Sequence, residues 1–325
     1  MDRRRVIGAL LGLGLAAFAR AQPKKGMARI GFLSLSSAKA ISHLVHAFRE
    51  GMEDVGYSEG RNLAIEYRWA DGDAERLPQL ARELVALKPA LIVAHATPAA
   101  SALKRVTSDI PLVMVNVGDP VRNGFAKGLR RPGGNMTGVA SAELDASARQ
   151  FELMTQIVPK GSVFAVLVNP ANESNESAFR VVDEQAKKAK QRAVRVPIRA
   201  AGEIDKAFQA MRRDKTQGVI VPGDPLFVAA RAQLAKAALG ARMPSVYAQR
   251  EHAEAGGLAS YGSNAAASFR RAAAYVVKIL NGAKPAEMPI DQPTTFELVV
   301  NLKTAQALKV SLPKELLSRA DRVIQ

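Results

Sequence analysis

Two Gly-Asp-Pro triplets, Gly118-Asp119-Pro120 and Gly223-Asp224-Pro225, each follow a short apolar run. A carboxylate fixed at such a place can pair with a ligand ammonium through a charge-assisted hydrogen bond. Asp and Pro also favour turns on their own account, so each triplet reads equally as a turn. Thr97-Pro98 is a third marker. Thr caps helices well and Pro suits the first helical position, which predicts a helix over 98–106 with Thr97 as its cap. The free N–H groups of that helix end suit a carboxylate or phosphate. A cap that serves only the fold is the competing reading. Polar residues also follow other apolar runs: Ser34-Leu35-Ser36-Ser37, His95, Asn169-Pro170-Ala171-Asn172 and Tyr261-Gly262-Ser263-Asn264.

Residue types that would support catalysis are sparse. The chain has no cysteine, which excludes disulfides, thiolate catalysis and a lipoprotein anchor. No Gly-x-Ser-x-Gly elbow, phosphate loop or His-Glu-x-x-His helix occurs. Gly12 and Gly14 loosely match a dinucleotide fingerprint, but no strand precedes them. Of the four histidines, His43 and His46 lie three apart on a predicted helix and read as an exposed pair, whereas His95 stands at a strand end and could line a crevice. The chain is therefore read as a non-enzyme with no cofactor and no metal. The net charge is +16, yet basic residues are scattered among acidic ones and only 5% of residues are aromatic, which argues against a nucleic-acid partner.

The elements that must position these residues alternate. Strands are predicted at 29–33, 63–67, 91–93, 112–117, 163–168, 194–198, 218–221, 245–247, 258–261 and 296–301. Amphipathic helices fill the gaps, including one over 226–239 and a long one over 265–280. Such alternation implies parallel sheets with helices on both faces. The strands are too many for one open sheet, so the expected architecture is α/β with two doubly wound lobes. Ligands bind such sheets at the carboxyl ends of strands, where the polar residues above collect. Phe32, Trp69, Tyr247 and Tyr261 are the aromatic residues available to an aromatic ligand.

Residues 1–21 read as a secretory leader. Arg3, Arg4 and Arg5 precede an apolar run from Val6 to Phe18, and Ala19-Arg20-Ala21 gives small residues before Gln22. Arg3-Arg4-Arg5-Val6-Ile7 also fits a twin-arginine signal, so Sec and twin-arginine export both stand. The mature chain is expected to be periplasmic.

Several stretches together resemble the ABC-transporter substrate-binding family that includes tryptophan-binding proteins of the type I periplasmic-binding fold. They include Arg29-Ile30-Gly31-Phe32-Leu33-Ser34, Gly60-Arg61-Asn62, Val117-Gly118-Asp119-Pro120, Arg131-Pro132-Gly133-Gly134-Asn135, Gly223-Asp224-Pro225, Ser260-Tyr261-Gly262 and Phe296-Glu297-Leu298-Val299. The resemblance spans the whole mature chain. It implies two lobes joined by three crossings: a first lobe of 28–140 plus 258–290, and a second of 141–257 plus 291–325. A small solute, an amino acid or related carboxylate, would be trapped between them and delivered to a membrane permease and ATPase by a monomeric protein. The resemblance makes Ser34, Ser36, Thr97 and Asp119 pocket candidates in the first lobe. Asn169, Asp224 and Tyr261 are candidates near the second lobe and hinge. A periplasmic sensor or receptor subunit could use the same trap without import. Repressors of the lactose type share the fold, but the first strand follows the leader too closely for a helix-turn-helix domain.

Overall fold

The computed structural model describes residues 26–159 and 161–325; the leader read at residues 1–21 lies outside them. The first lobe is built on a five-stranded parallel sheet of β1 (Ala28–Ser34), β2 (Leu63–Trp69), β3 (Ile92–His95), β4 (Leu112–Gly118) and β5 (Met136–Ser141), in the order β2-β1-β3-β4-β5. The second carries seven strands: β6 (Val163–Val168), β7 (Arg192–Pro197), β8 (Gly218–Val221), β9 (Ser245–Tyr247), β10 (Ala259–Ser263), β11 (Phe296–Asn301) and β12 (Arg322–Ile324). Their order is β12-β11-β10-β9-β8-β6-β7, and only the β10–β11 pair is antiparallel. The fold is thus the expected pair of doubly wound α/β lobes.

Helices cover both faces of each sheet, because apolar residues recur at helical spacing and must be buried. In the first lobe, α1 (Ser42–Asp54) turns Leu44, Val45, Phe48 and Met52 inward on one face, while α2 (Leu77–Ala86) and α3 (Ala96–Lys104) close the other. The second lobe holds α4 (Glu143–Ile157), α5 (Glu173–Lys188), α6 (Ile204–Arg213), α7 (Pro225–Ala229), α8 (Arg231–Gly240) and α9 (Arg250–Glu254). Helix α10 (Ala265–Leu280) follows β10 in sequence but packs Phe269, Ala272 and Val276 into the first-lobe core beside α1. The two helices meet at Gly51, where a Cβ would stand 2.6 Å from the carbonyl oxygen of Arg270. After β11, α11 (Leu302–Leu308) and α12 (Lys314–Ser318) lead to β12.

The chain passes between the sheets at 141–143, at 263–265 and again at 291–296. The last passage leaves from Asp291, whose backbone pairs with Gly138 and Ala140 at the edge of the first sheet.

Several expectations need correction. Strand β10, expected in the first lobe, pairs with β9 and β11 in the second sheet, and only α10 and the segment reaching Ile290 join the first-lobe core. The helix expected over 226–239 is two helices, α7 and α8, which break at Ala230. Strands β5 and β12 were not foreseen. Met136–Ser141 reads MTGVAS, too short and too rich in small residues to stand out, although five of its six residues are buried. Among the described residues no helix is long and apolar enough to cross a membrane.

Candidate functional site

In both sheets the chain order reverses beside the first strand, between β1 and β3 in one and between β6 and β8 in the other. Such a switch point splays the loops at the strand ends and leaves a crevice there. The two crevices face each other across one cleft. It encloses about 760 Å³, open solvent at its mouth included. From the first lobe come Ser36, His95, Ala96, Thr97 and Asn116. From the crossing and the second lobe come Ser141, Glu143, Asn172, Asp224, Gln249 and Glu251. Ile41, Leu44, Ala146 and Val228 give it apolar patches.

The lobes touch around this cleft. Thr97 Oγ1 lies 2.6 Å from Ser174 Oγ at the start of α5. At the rim, His43 Nε2 of α1 stands 2.9 Å from Glu251 Oε1 of α9.

Buried polar atoms normally find hydrogen-bond partners, and an unpaired one costs stability. Among the described residues eight buried side-chain N or O atoms have no partner, and four of them line this cleft: Ser36 Oγ, Asn116 Oδ1, Ser141 Oγ and Gln249 Oε1. Backbone strain collects here too. Ala96 and Asn116 adopt φ of 64° and 54°, in the left-handed region that side chains other than glycine seldom occupy. Unpaired acceptors and strained backbone gathered at one place are the marks of a binding site.

The electrostatics are one-sided. The lining carries three carboxylates, Glu143, Asp224 and Glu251, and no lysine or arginine among the described residues. Glu143 Oε1 accepts the Gly223 N–H at 2.8 Å. Burial pushes its carboxyl up to about 8; the Gly223 N–H pulls it down and the neighbouring Asp224 charge raises it further. Burial lifts Asp224 to about 6, against the donors of Asn172, Asn169, Leu226 and Phe227. His95 is held down to about 4 by burial alone, so its imidazole is neutral; its Nδ1 meets Ser34 Oγ at 2.9 Å and its ring lies edge-on to Phe269.

The residues singled out from sequence take different places. Ser36, Thr97 and Asp224 line the cleft. Ser34 sits behind it, fully buried, where it holds His95 and accepts the Ser36 N–H. Asn169 also stands behind: its Nδ2 donates to both Asp224 oxygens. Asp119 is not in the lining; its carboxylate accepts the Arg122 N–H at 3.1 Å, so the first Gly-Asp-Pro triplet is a turn. Tyr261 stacks on Phe296 with centroids 5.4 Å apart, and its neighbours Gly262 and Ser263 reach the cleft instead. Thr97 is not a helix cap. His95 precedes α3 as its N-cap residue, and the Thr97 hydroxyl turns sideways to accept from the Gly118 N–H and meet Ser174. Asp224 does cap its helix, accepting the Leu226 N–H at 2.7 Å. Phe32 and Tyr247 are core residues and Trp69 stacks on Tyr67, so none of the four aromatic candidates lines the cleft.

Sequence reasoning missed Asn116, Ser141, Glu143 and Gln249, and it noted Asn172 at a strand end without making it a pocket candidate. Asn116 carried a signal, a lone amide inside the apolar run Leu112–Gly118. Ser141 and Glu143 follow the unrecognised β5.

Residues 29–324 match the model of a family described as ABC transporter substrate binding protein. The chain belongs to that family. Its members bind small solutes. A curated relative, the tyrosine-binding protein of Clostridioides difficile strain R20291, is 27% identical over 284 residues, covering 87% of this chain and 81% of the relative. An ABC domain from Streptococcus pneumonia in complex with L-Trp superposes with a TM-score of 0.85 at 26% identity, over 92% of this chain and all of that one. The ligand-free, open form of a substrate-binding protein with adhesive properties from Clostridium difficile has the same identity and coverage but a TM-score of 0.64. The lobe arrangement here is thus nearer to the ligand-bound relative, in keeping with the Thr97–Ser174 and His43–Glu251 contacts.

Proposed function

We propose that this substrate-binding protein is the exported component of an ABC importer, which closes its lobes on an α-amino acid or a related carboxylate. It then hands the solute to a permease and ATPase at the inner membrane. The observation that carries the reading is the convergence of four unpartnered buried polar atoms on one cleft between two lobes. The names of the tyrosine-binding relative and of the L-Trp complex support an amino acid as solute class. The solute carboxylate would lie at the N-terminus of α3 against Ser36, where helix N–H groups and a free hydroxyl offer donors. Its body would pack on Ile41, Leu44 and Val228. The protein would act as a monomer in the periplasm, without catalysis.

A thermal-shift screen of residues 22–325 against amino acids, small carboxylates, amides and purines tests this. A solute at 100 times its dissociation constant adds about 2.7 kcal/mol of stability, which gives a visible shift. An amino-acid hit supports the reading; a ligand-stripped, folded protein that no small solute stabilises overturns it.

A further inference from the structure

Of the two side-chain contacts described above that join the lobes around the cleft, one can change its charge. Thr97 and Ser174 meet through hydroxyls. At the rim, His43 Nε2 donates to Glu251 Oε1 at 2.9 Å, across 208 residues of sequence. Each partner is the second residue of its helix, and α1 follows β1 as α9 follows β9, so both helices begin on the cleft side of their sheets. The first turn of α1 carries no acidic residue, and its N-cap residue Ile41 offers no side-chain bond. The positive end of that helix opposes a charge on His43. Glu251 supplies the missing carboxylate from the other lobe. Water reaches the partners unequally: the His43 side chain is 42% exposed and that of Glu251 13%. Burial raises the Glu251 carboxyl, but the hydrogen bond and charge of His43, with the α9 backbone and His252, outweigh it and hold it below its ordinary 4.5. The carboxylate is therefore ionised throughout the range in which an imidazole gains and loses its proton.

We propose that His43 and Glu251 form a proton-operated latch across the rim of the cleft, so that the lobes close on their solute more firmly in mild acid than in alkali. The inference rests on the reading that the lobes close on a small solute, and it adds the regulation of that step. A neutral imidazole still donates to a carboxylate, but a charged one makes a bond roughly twice as strong and adds Coulomb attraction. Opening the lobes separates the pair. Closing therefore favours the proton on His43, and the proton favours closing. The latch is set in mild acid and is lost as pH rises through the imidazole range. It fails again in acid strong enough to protonate Glu251. The charged neighbours pair within their own lobes. On α1, His46 lies 3.5 Å from Glu50, and Glu50 and Asp54 pair with Arg270 of α10; Lys39 stands exposed in the turn before α1. On α9, Arg250 pairs with Glu297 of β11, and Glu254 with Arg322 of β12. His252 is buried against the Phe227 carbonyl, and burial holds it down to about 4. Within the cleft, Glu143, Asp224 and His95 are perturbed by burial and do not depend on His43.

The test compares wild type with His43→Gln, which keeps a donor but never a charge, and with His43→Lys, which keeps the charge throughout. X-ray scattering of solute-free residues 22–325 measures how far the lobes are open at about pH 5 and about pH 8, the limits of the imidazole range. Calorimetric titration with L-tyrosine and L-tryptophan gives affinity at the same two values. The wild type is expected to be more compact at the lower pH, or to bind there about threefold more tightly or better. His43→Gln should lose that difference, and His43→Lys should behave at both values as wild type does at the lower. A wild type whose compactness and affinity both ignore pH overturns the latch. So does a pH dependence that His43→Gln keeps in full, since the buried groups of the cleft would then be its cause. If neither amino acid binds, the amino-acid reading falls and scattering alone decides the latch; a folded protein equally open at both values then counts against it. Melting curves at each pH check the fold, and if one variant does not fold the other still separates charge from contact.

Discussion

Thr97 of the first lobe and Ser174 of the second meet hydroxyl to hydroxyl at 2.6 Å, both buried, where the two strand-end crevices close on each other. Ser174→Ala removes this contact and leaves the Thr97 bond to the Gly118 N–H in place. A hydrogen bond of this kind contributes about 0.5–1.5 kcal/mol. The expected outcome is a shift toward open lobes, seen as a larger radius of gyration by X-ray scattering, and an apparent solute affinity lowered by about twofold to tenfold. The melting temperature of the solute-free protein should barely move.

Gly118 offers a sharper perturbation. A Cβ there would lie 2.7 Å from Ser174 Cβ and closer still to its hydroxyl, while its nearest other neighbour is Glu143 Oε2 at 3.4 Å. The clash is with the opposite lobe and not with the first-lobe core. Gly118→Ala is expected to wedge the lobes apart, with little change in thermal stability and an affinity loss greater than that of Ser174→Ala. Scattering curves of the two variants with and without a bound amino acid would check the order.

Ser36 separates stability from binding. Its hydroxyl is buried and unpartnered, so Ser36→Ala removes an uncompensated polar group and should leave the melting temperature of the solute-free protein unchanged or raised. The same change should weaken solute binding by about 1 kcal/mol if that hydroxyl donates to the solute carboxylate. A parallel drop in both quantities would assign Ser36 to the fold instead.

Glu143 sets a pH signature. In the folded protein it keeps its proton up to about 8, whereas the ordinary value is 4.5. The native state therefore binds more protons than the unfolded chain between those values, and this contribution is lost as pH rises through about 8. Asp224 acts in the same sense between 3.8 and about 6. His95 and His252, held at about 4 by burial, act in the opposite sense below 6.5 and offset the carboxylates there. Between about 6.5 and 8, stability of the solute-free protein should fall with rising pH by at most about 1.4 kcal/mol per unit. Denaturation curves of Glu143→Gln should be flat over the same window.

The alternation of strands and helices was legible because burial on both faces leaves long apolar runs in parallel strands, as in Val163–Val168. The leader of β4 into Gly118-Asp119-Pro120 and of β8 into Gly223-Asp224-Pro225 likewise marked strand ends. What the sequence could not show was direction. Asp119 and Asp224 share a tripeptide, yet one caps its own turn and the other faces the cleft beside Asn169 and Asn172, partners more than fifty residues distant. Glu143 stayed hidden for the same reason: nothing local distinguishes it from any acidic residue in a first helical turn. Its character comes first from burial in the folded protein and then from Gly223 and Asp224, eighty residues on.

The placement of α10 has a consequence for the order in which the molecule can be completed. A ribosome working at about 5–20 residues per second finishes all five strands of the first sheet well before it reaches Phe269. Until then one wall of that lobe is covered by α1 alone, and Phe32 and Val113 lack the partners that α10 brings. The second lobe waits longer still, for β11 and β12. Neither half can be finished early: the first core closes only with α10 and the segment to Ile290, and the second only after β11 has followed it.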